Sequence, residues 1–305
     1  RRGIPYIDTQ VKGGNRIISI VQDGNAGRRK EFPGDFVTQS VLSSINSVEF
    51  PHAFAVKEEM KSWKILQLNP EELRKPSKRT ASDQITPSGA NLAAALFRLK
   101  RDDEHILNDI SRQLNNLLPN FIRVEVSEDI PENRFIIKVI SEDKRKFTSR
   151  VLSEGTLRLL ILCILRFDDK HRGTLCFEEP ENGVHPYRIK LIIDLLKELT
   201  TDFSDTLEPR FPLKQVIVNT HSPVLVGQAF KNVTALSKRT TVWFSKLVTF
   251  IPEDRSFKKC LITKIIPVVK KNQEIPCEGF NEKEKDLTLM EVDNYLRSTD
   301  FEEVS

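Results

Sequence analysis

The chain has 305 residues, enough for one large domain or two ordinary ones, and its 39% hydrophobic content with 18 phenylalanines excludes wholesale disorder. Charged residues make up 30% of it, and its most apolar run, Leu157 to Phe167, contains Arg158 and Arg166 and is too short to span a bilayer, which excludes a membrane protein. A net charge of +4 over this length is too small to argue for a nucleic-acid partner by itself.

In chain order, residues 1–85 are the hardest to read. Asp23 to Lys30 is a polar turn with a basic exit. Apolar patterns at Phe36–Val48 and Phe54–Leu68 predict a helix and a mixture of strand and helix, and Lys75–Ser82 reads as a loop. From Pro87 the signal sharpens. Leu92, Ala95, Leu96 and Leu99 recur at helical spacing, and Ile106, Ile110, Leu114 and Leu117 form the stripe of a second helix over Glu104–Leu118. The period then falls to two. Ile122, Val124 and Val126 alternate with polar residues, and after the turn Pro131-Glu132-Asn133 comes Arg134-Phe135-Ile136-Ile137, which predicts a hairpin.

Between Val151 and Val226, helices alternate with short apolar strands. A helix over Gly155–Phe167 precedes a buried strand at Thr174–Phe177, and a helix over Pro186–Thr200 precedes a second buried strand at Gln215–Asn219. Such alternation predicts an α/β fold with a parallel sheet covered on both faces. Thr241–Phe250 and Cys260–Val269 predict further strands, and Leu287–Leu296 a short helix. Cys163, Cys176, Cys260 and Cys277 form no C-x-x-C pair, so neither a zinc site nor a disulfide framework is predicted, and a reducing cytoplasm fits best. No apolar stretch follows the basic N-terminal pair, so no secretory signal is expected. The sequence begins at Arg1 rather than Met, which raises the expectation of a longer product.

Three segments carry the chemistry. Leu152-Ser153-Glu154-Gly155-Thr156 opens a helix, where a hydroxyl, uncrowded backbone N–H groups and the positive end of the helix dipole suit a phosphate; the same residues also serve as an ordinary N-cap. LCFEEPENGVHP puts Glu178 and Glu179 where an apolar strand leaves the sheet, the side on which open parallel sheets bind ligands. One carboxylate there can hold Mg2+ and its neighbour can orient or deprotonate a water, although a solvated acidic loop has the same composition. VIVNTHSPVL ends a second strand in His221, placed to hydrogen-bond a γ-phosphate or, as a lone histidine, to play a structural part. Each segment alone is weak evidence. Their ordered combination is strong.

With these motifs the sequence resembles the C-terminal lobe of an ABC-type ATPase head of the RecF and structural-maintenance-of-chromosomes kind. More narrowly, it resembles the AAA-family ATP-binding proteins that include overcoming-lysogenization-defect and phage-defence ATPases. The resemblance implies an ABC-ATPase-like P-loop NTPase fold, a mostly parallel sheet flanked by helices with a helical and hairpin insertion. It implies that residues 1–86 are the remainder of an N-terminal lobe and helical insertion, 87–150 the helices and hairpin leading to the signature, 151–240 the ATPase C-terminal lobe, and 241–305 C-terminal strands and a short helix.

By the same resemblance Ser153, Glu154, Gly155 and Thr156 are the signature, Glu178 the Mg2+-associated acid and Glu179 the catalytic glutamate. Asn182, Gly183 and His185 belong to the D-loop, and His221 is the switch histidine. ATP and Mg2+ are the implied substrate and cofactor. The implied partners are a second copy in a head-to-tail dimer and an effector such as a nuclease or toxin.

The 305 residues contain no Gly-x-x-x-x-Gly-Lys-Ser/Thr loop, and the resemblance places that loop upstream. Glu178 replaces the usual Asp, and Glu154 and Thr156 differ from the transporter signature. The basic clusters Arg28–Lys30, Lys144–Lys146, Lys258-Lys259 and Lys270-Lys271 can touch nucleic-acid phosphates, although sparse aromatic interleaving favours solvated loops. Two other function classes fit parts of the pattern. One is a non-hydrolysing nucleotide-binding scaffold. The other is a metal-dependent phosphodiesterase built from Glu178, Glu179, Glu181, His185 and His221, against which stand Pro180 and the lack of DxD or HxH clusters.

Overall fold

The computed structural model describes residues 5–22, 28–35, 38–46, 49–202, 213–231, 240–250, 260–268, 290–292 and 294–297. The chain divides into two units. The first comprises Arg1–Ile65, Asp169–Cys176 and Thr201–Gln215, and the second Leu66–Asp168, Phe177–Thr200 and Val216–Ser305.

In the first unit, strands β1 (Ile7–Lys12), β2 (Asn15–Val21) and β3 (Arg29–Pro33) form an antiparallel meander. Lys12 pairs with Asn15 across a two-residue Gly13-Gly14 turn with both φ values positive, the geometry that matches strand twist in a tight hairpin. Ile20 is fully buried and packs with Val41, Ile45, Phe50 and Ala53, the last from helix α1 (Pro51–Ser62). The predicted helix over Phe36–Val48 is instead a single 3-10 turn at Val41–Ser44, with residues 36, 37, 47 and 48 outside the described set. Helix α1 is followed directly by strand β4 (Lys64–Leu66), as the mixed pattern suggested.

The second unit opens with α2 (Pro70–Arg74), capped by Asn69, whose side chain accepts from the Glu71 and Glu72 amides. The predicted loop after it contains a two-residue strand, β5 (Ser77–Lys78), paired with Phe135 and Arg134. Helices α3 (Leu92–Asp102) and α4 (Ile106–Leu117) follow, both where the apolar stripes place them. Strands β6 (Phe121–Asp129) and β7 (Arg134–Ser141) make the predicted hairpin. Asn133 turns it at φ 49°, and Arg134 Nε lies 2.9 Å from Asp129 Oδ2. Strand β8 (Lys146–Thr148) pairs back on β7.

Helix α5 (Glu154–Arg166) is the centre of this unit. Every residue from Gly155 to Leu165 is buried, so the helix is covered on all sides, by α2, α4 and helix α6 (Ile189–Glu198) among others. Burial pushes the Cys163 thiol up to about 12, so this cysteine is a neutral core side chain. Strand β9 (Gly173–Glu178) lies between β4 and β10 (Lys214–Asn219) in sheet order. The Gly173 amide donates to Leu213 O at one end and the Glu179 amide to Asn219 O at the other, so β9 and β10 run parallel and α6 is their crossover. Strand β10 corrects the expectation of a fully buried strand. Its residues alternate between half-buried and exposed, and Ile217 is 50% exposed, so one face of β10 meets solvent.

Helix α7 (Pro223–Lys231) was not predicted, although Pro223 at its first position, after a serine, is a standard helix start. Strands β11 (Val242–Phe250) and β12 (Cys260–Val268) form an antiparallel ribbon, and residues 290–292 and 294–297 are helical. No helix among the described residues is long and apolar enough to cross a membrane.

Candidate nucleotide site

Ser153 caps α5. Its Oγ accepts from the Thr156 amide at 3.2 Å and lies 2.8 Å from Thr156 Oγ1. The apolar Leu152 beneath it is buried, while Ser153 itself is exposed at the helix tip. A serine hydroxyl has two lone pairs and one proton. When Thr156 Oγ1 donates to it, both lone pairs are used within the cap and the Ser153 proton is left to point outward.

At the C-terminal end of β9 the backbone turns sharply. Glu179 has φ 45°, a left-handed value costly for a residue with a long side chain. The structure around it supplies compensating bonds. Its amide donates to Asn219 O at 2.8 Å, its carbonyl accepts from the Asn182 amide at 3.1 Å, and its carboxylate Oε2 accepts from Asn182 Nδ2 at 3.1 Å. The turn continues through Gly183 at φ 69°.

The serine-capped tip of α5 and this turn meet backbone against backbone. A Cβ placed on Gly155 would lie 2.3 Å from Gly183 O and 3.2 Å from Val184 Cα. Arg158, one turn further into α5 and almost wholly buried, joins the two segments. Its Nη2 and Nε reach Glu154 Oε1 at 2.7 and 3.0 Å, and its Nη1 donates to Glu179 O at 3.1 Å. Arg158 was not among the expected site residues. The sequence signal was the Glu154–Arg158 spacing of four, an ion pair across one turn inside an otherwise apolar helix.

This geometry predicts that Gly155→Ala destabilises the protein by about 1–3 kcal/mol, near the upper figure because the obstacle is main chain and cannot rotate away. Thermal or urea unfolding of the variant measures it, and an unchanged midpoint would show that the two segments separate freely.

His221 follows the end of β10, beside the end of β9, and is exposed. The turn holding it is tied at each residue. Asn219 O accepts from Glu179 N, Thr220 Oγ1 donates to Glu181 Oε1, and Ser222 N donates to Thr220 Oγ1 at 2.9 Å. Ser222 then caps α7 through a 3.3 Å bond from Leu225 N.

The expected residues thus separate into two groups. Ser153, Glu154, Gly155, Thr156, Glu179, Asn182 and Gly183 form one bonded and packed cluster, with His221 on the adjacent strand end. Glu178 and His185 stand outside it. Both are exposed, and His185 stacks on Tyr187 with ring centroids 5.2 Å apart.

Among the described residues no group of three or more His, Cys, Asp or Glu side chains gathers as a metal centre. Mg2+ commonly takes one or two protein carboxylates and completes its octahedron with phosphate oxygens and water. Glu178, an exposed carboxylate at the carboxyl end of a parallel strand, has the position and the hard oxygen donors for this part. A cleft of about 320 Å³ bounded by Ser111, Arg112 and Arg123 lies elsewhere, against α4 and β6.

The parallel β9–α6–β10 unit, with Glu178 and Glu179 at one strand end and Thr220, His221 and Ser222 after the other, sits in an α/β fold of the AAA/ABC P-loop ATPase type. The chain belongs to the family described as "AAA domain, putative AbiEii toxin, Type IV TA system", whose profile matches residues 19–227, more than half of the sequence. No curated protein matches it.

Among solved structures it is similar to an SMC ATPase studied for ATP-driven dimerization and DNA-stimulated activation, at 14% identity and TM-score 0.37, over 65% of this chain and 96% of that one. It is also similar to the Smc head domain with a coiled coil and joint from Pyrococcus yayanosii, at 16% identity and TM-score 0.35, over 63% of this chain and 30% of that one. For the SMC head domain from Thermotoga maritima the figures are 11% and 0.35, over 86% and 73%. These structural likenesses are distant.

Proposed function

We infer that the protein is an ABC-type ATPase whose ATP-driven head-to-tail dimerisation and hydrolysis switch a partner effector. The observation that carries this reading is the contact of Gly155 with Gly183, bridged by Arg158, which ties the signature tip to the carbonyl of the glutamate proposed as catalytic. A signature built this way reports on its own Walker B end while its exposed Ser153 hydroxyl and helix N-terminus face outward, toward ATP held by a second copy.

In the proposed reaction Glu179 orients a water and takes its proton as the water oxygen bonds to the γ-phosphorus. The bond from that phosphorus to the β,γ-bridging oxygen breaks, and ADP leaves. His221 donates a hydrogen bond to a γ-phosphate oxygen. Mg2+ bound at Glu178 would offset charge on the β- and γ-phosphate oxygens. Loss of phosphate weakens the shared site and releases the dimer, and the change passes to the effector. The family description names a toxin and a toxin–antitoxin system, which supports a toxin as the partner effector. The reading requires a phosphate-cradling lysine loop, which these 305 residues lack.

The test is ATP-dependent dimerisation of the full-length product by light scattering, beside steady-state hydrolysis. Ser153→Arg, which puts a bulky cation where a phosphate should approach, is expected to abolish the ATP-dependent dimer and reduce turnover at least tenfold, while monomers still bind ATP. A wild-type protein that binds ATP without dimerising or hydrolysing it would establish the scaffold reading instead.

A further inference from the structure

The helical residues 290–292 and 294–297 are docked on elements of the second unit. Val292 is buried, Glu291 forms an ion pair with Lys246 of β11 at 3.1 Å, and a Cβ on Gly227 of α7 would lie 3.4 Å from Leu296 Cδ2. Its polar contact reaches the candidate site: the Tyr295 hydroxyl donates to the main-chain carbonyl of His221. Burial first, and then the nearby Glu181 carboxylate, push the Tyr295 pKa up, so the hydroxyl keeps its proton as a donor. Glu181 in turn accepts from Thr220, the residue before His221.

The turn between β10 and α7 is therefore held from two directions. Asn219 and Thr220 are tied to the loop after β9, through Glu179 and Glu181, and Ser222 is tied into α7 as its cap. The tie at His221 comes from the C-terminal segment. A carbonyl held in this way limits rotation about the residue whose imidazole must meet the γ-phosphate.

We propose that Tyr295 is a positioning residue for His221, and that docking of the C-terminal segment sets whether the switch histidine is aligned for hydrolysis. This deepens the ATPase reading above and rests on it. A partner that draws Tyr295 and its helical neighbours away would free the His221 carbonyl and slow turnover without touching the nucleotide.

The experiment compares wild type, Tyr295→Phe and Glu291→Gln in the full-length product. Tyr295→Phe keeps the ring and removes one donor, and is expected to lower kcat roughly three- to tenfold with KM for ATP within about twofold. Hydrogen exchange at the Ser222 and Val226 amides, both bonded within this turn, should quicken in the same variant. Glu291→Gln loses only the surface pair with Lys246 and should leave kcat within about twofold.

Unchanged kcat in Tyr295→Phe overturns the proposal, whether or not exchange quickens. So does a raised KM at constant kcat, which would place Tyr295 in binding. If the wild type hydrolyses no ATP, the ATPase reading fails on its own, and the exchange measurement still decides whether Tyr295 holds the turn.

Discussion

Glu179→Gln is expected to slow steady-state hydrolysis by roughly 100-fold or more, the contribution of a positioned general base, while ATP remains bound and the dimer accumulates. The substitution is well isolated. Glutamine has the same length and meets the same left-handed backbone at this position, so the φ of 45° costs both residues alike. Its amide oxygen can still accept from Asn182 Nδ2, and the main-chain bonds to Asn219 and Arg158 are untouched. What changes is the carboxylate charge and its ability to take a proton. Single-turnover hydrolysis and light scattering in the presence of ATP separate the effects. Residual hydrolysis near the wild-type rate would move the base elsewhere and remove the central role assigned to this residue.

The second large effect is structural. Arg98 and Asp168 form an ion pair of 2.8 Å with side chains only 4% and 2% exposed, joining α3 to the end of α5. The Arg98 Nε also donates to Asp83 O at 3.1 Å, and Asp102 lies 3.6 Å from its Nη1. Removing one member of a buried pair strands its partner's charge, which costs about 3–5 kcal/mol. Asp168→Asn is expected near the lower figure, because Asp102 and the Asp83 carbonyl continue to face the guanidinium. Arg98→Met should cost at least as much, since it leaves Asp168 charged in the core. The double variant Arg98→Met with Asp168→Leu should recover most of the loss, because well-packed apolar groups of similar volume often replace a buried pair without penalty. Unfolding midpoints of Arg98→Met, Asp168→Leu and the double variant, with the wild type, form a double-mutant cycle, and additive losses would show that the two side chains do not act as a pair. Because Ser153 and Gly155 lie at the other end of α5, this pair also fixes the helix whose tip meets Gly183.

Much of the second unit was legible because its local signals agree with one another. The stripe of Ile110, Leu114 and Leu117 and the alternation of Val124 and Val126 match the period of the element each one forms, and all five are buried. The first unit was not legible for a converse reason. Strand β2 carries Ile17, Ile18, Ile20 and Val21 with no clean alternation, and β1 is almost wholly exposed, so neither period emerges over its short length. Strand β5 has two residues and exists only through its pairing with β7. The apolar triplet Val216-Ile217-Val218 looks like a strand covered on both faces, yet Ile217 meets solvent, because burial of the second face depends on neighbours the strand cannot specify.

At the candidate site the division is similar. The order of the serine-led helix, the paired glutamates and the histidine is a property of the sequence, and so are the apolar run that buries α5 and the strand that ends at Glu178. Arg158 reaching the Glu179 carbonyl, the main-chain approach of Gly155 to Gly183, and Tyr295 holding His221 are properties of the tertiary structure alone. Period and motif are set by neighbours a few residues apart and can be read along the chain. A contact between segments remote in sequence depends on how closely the whole core lets two backbones pack, and no local pattern encodes that distance.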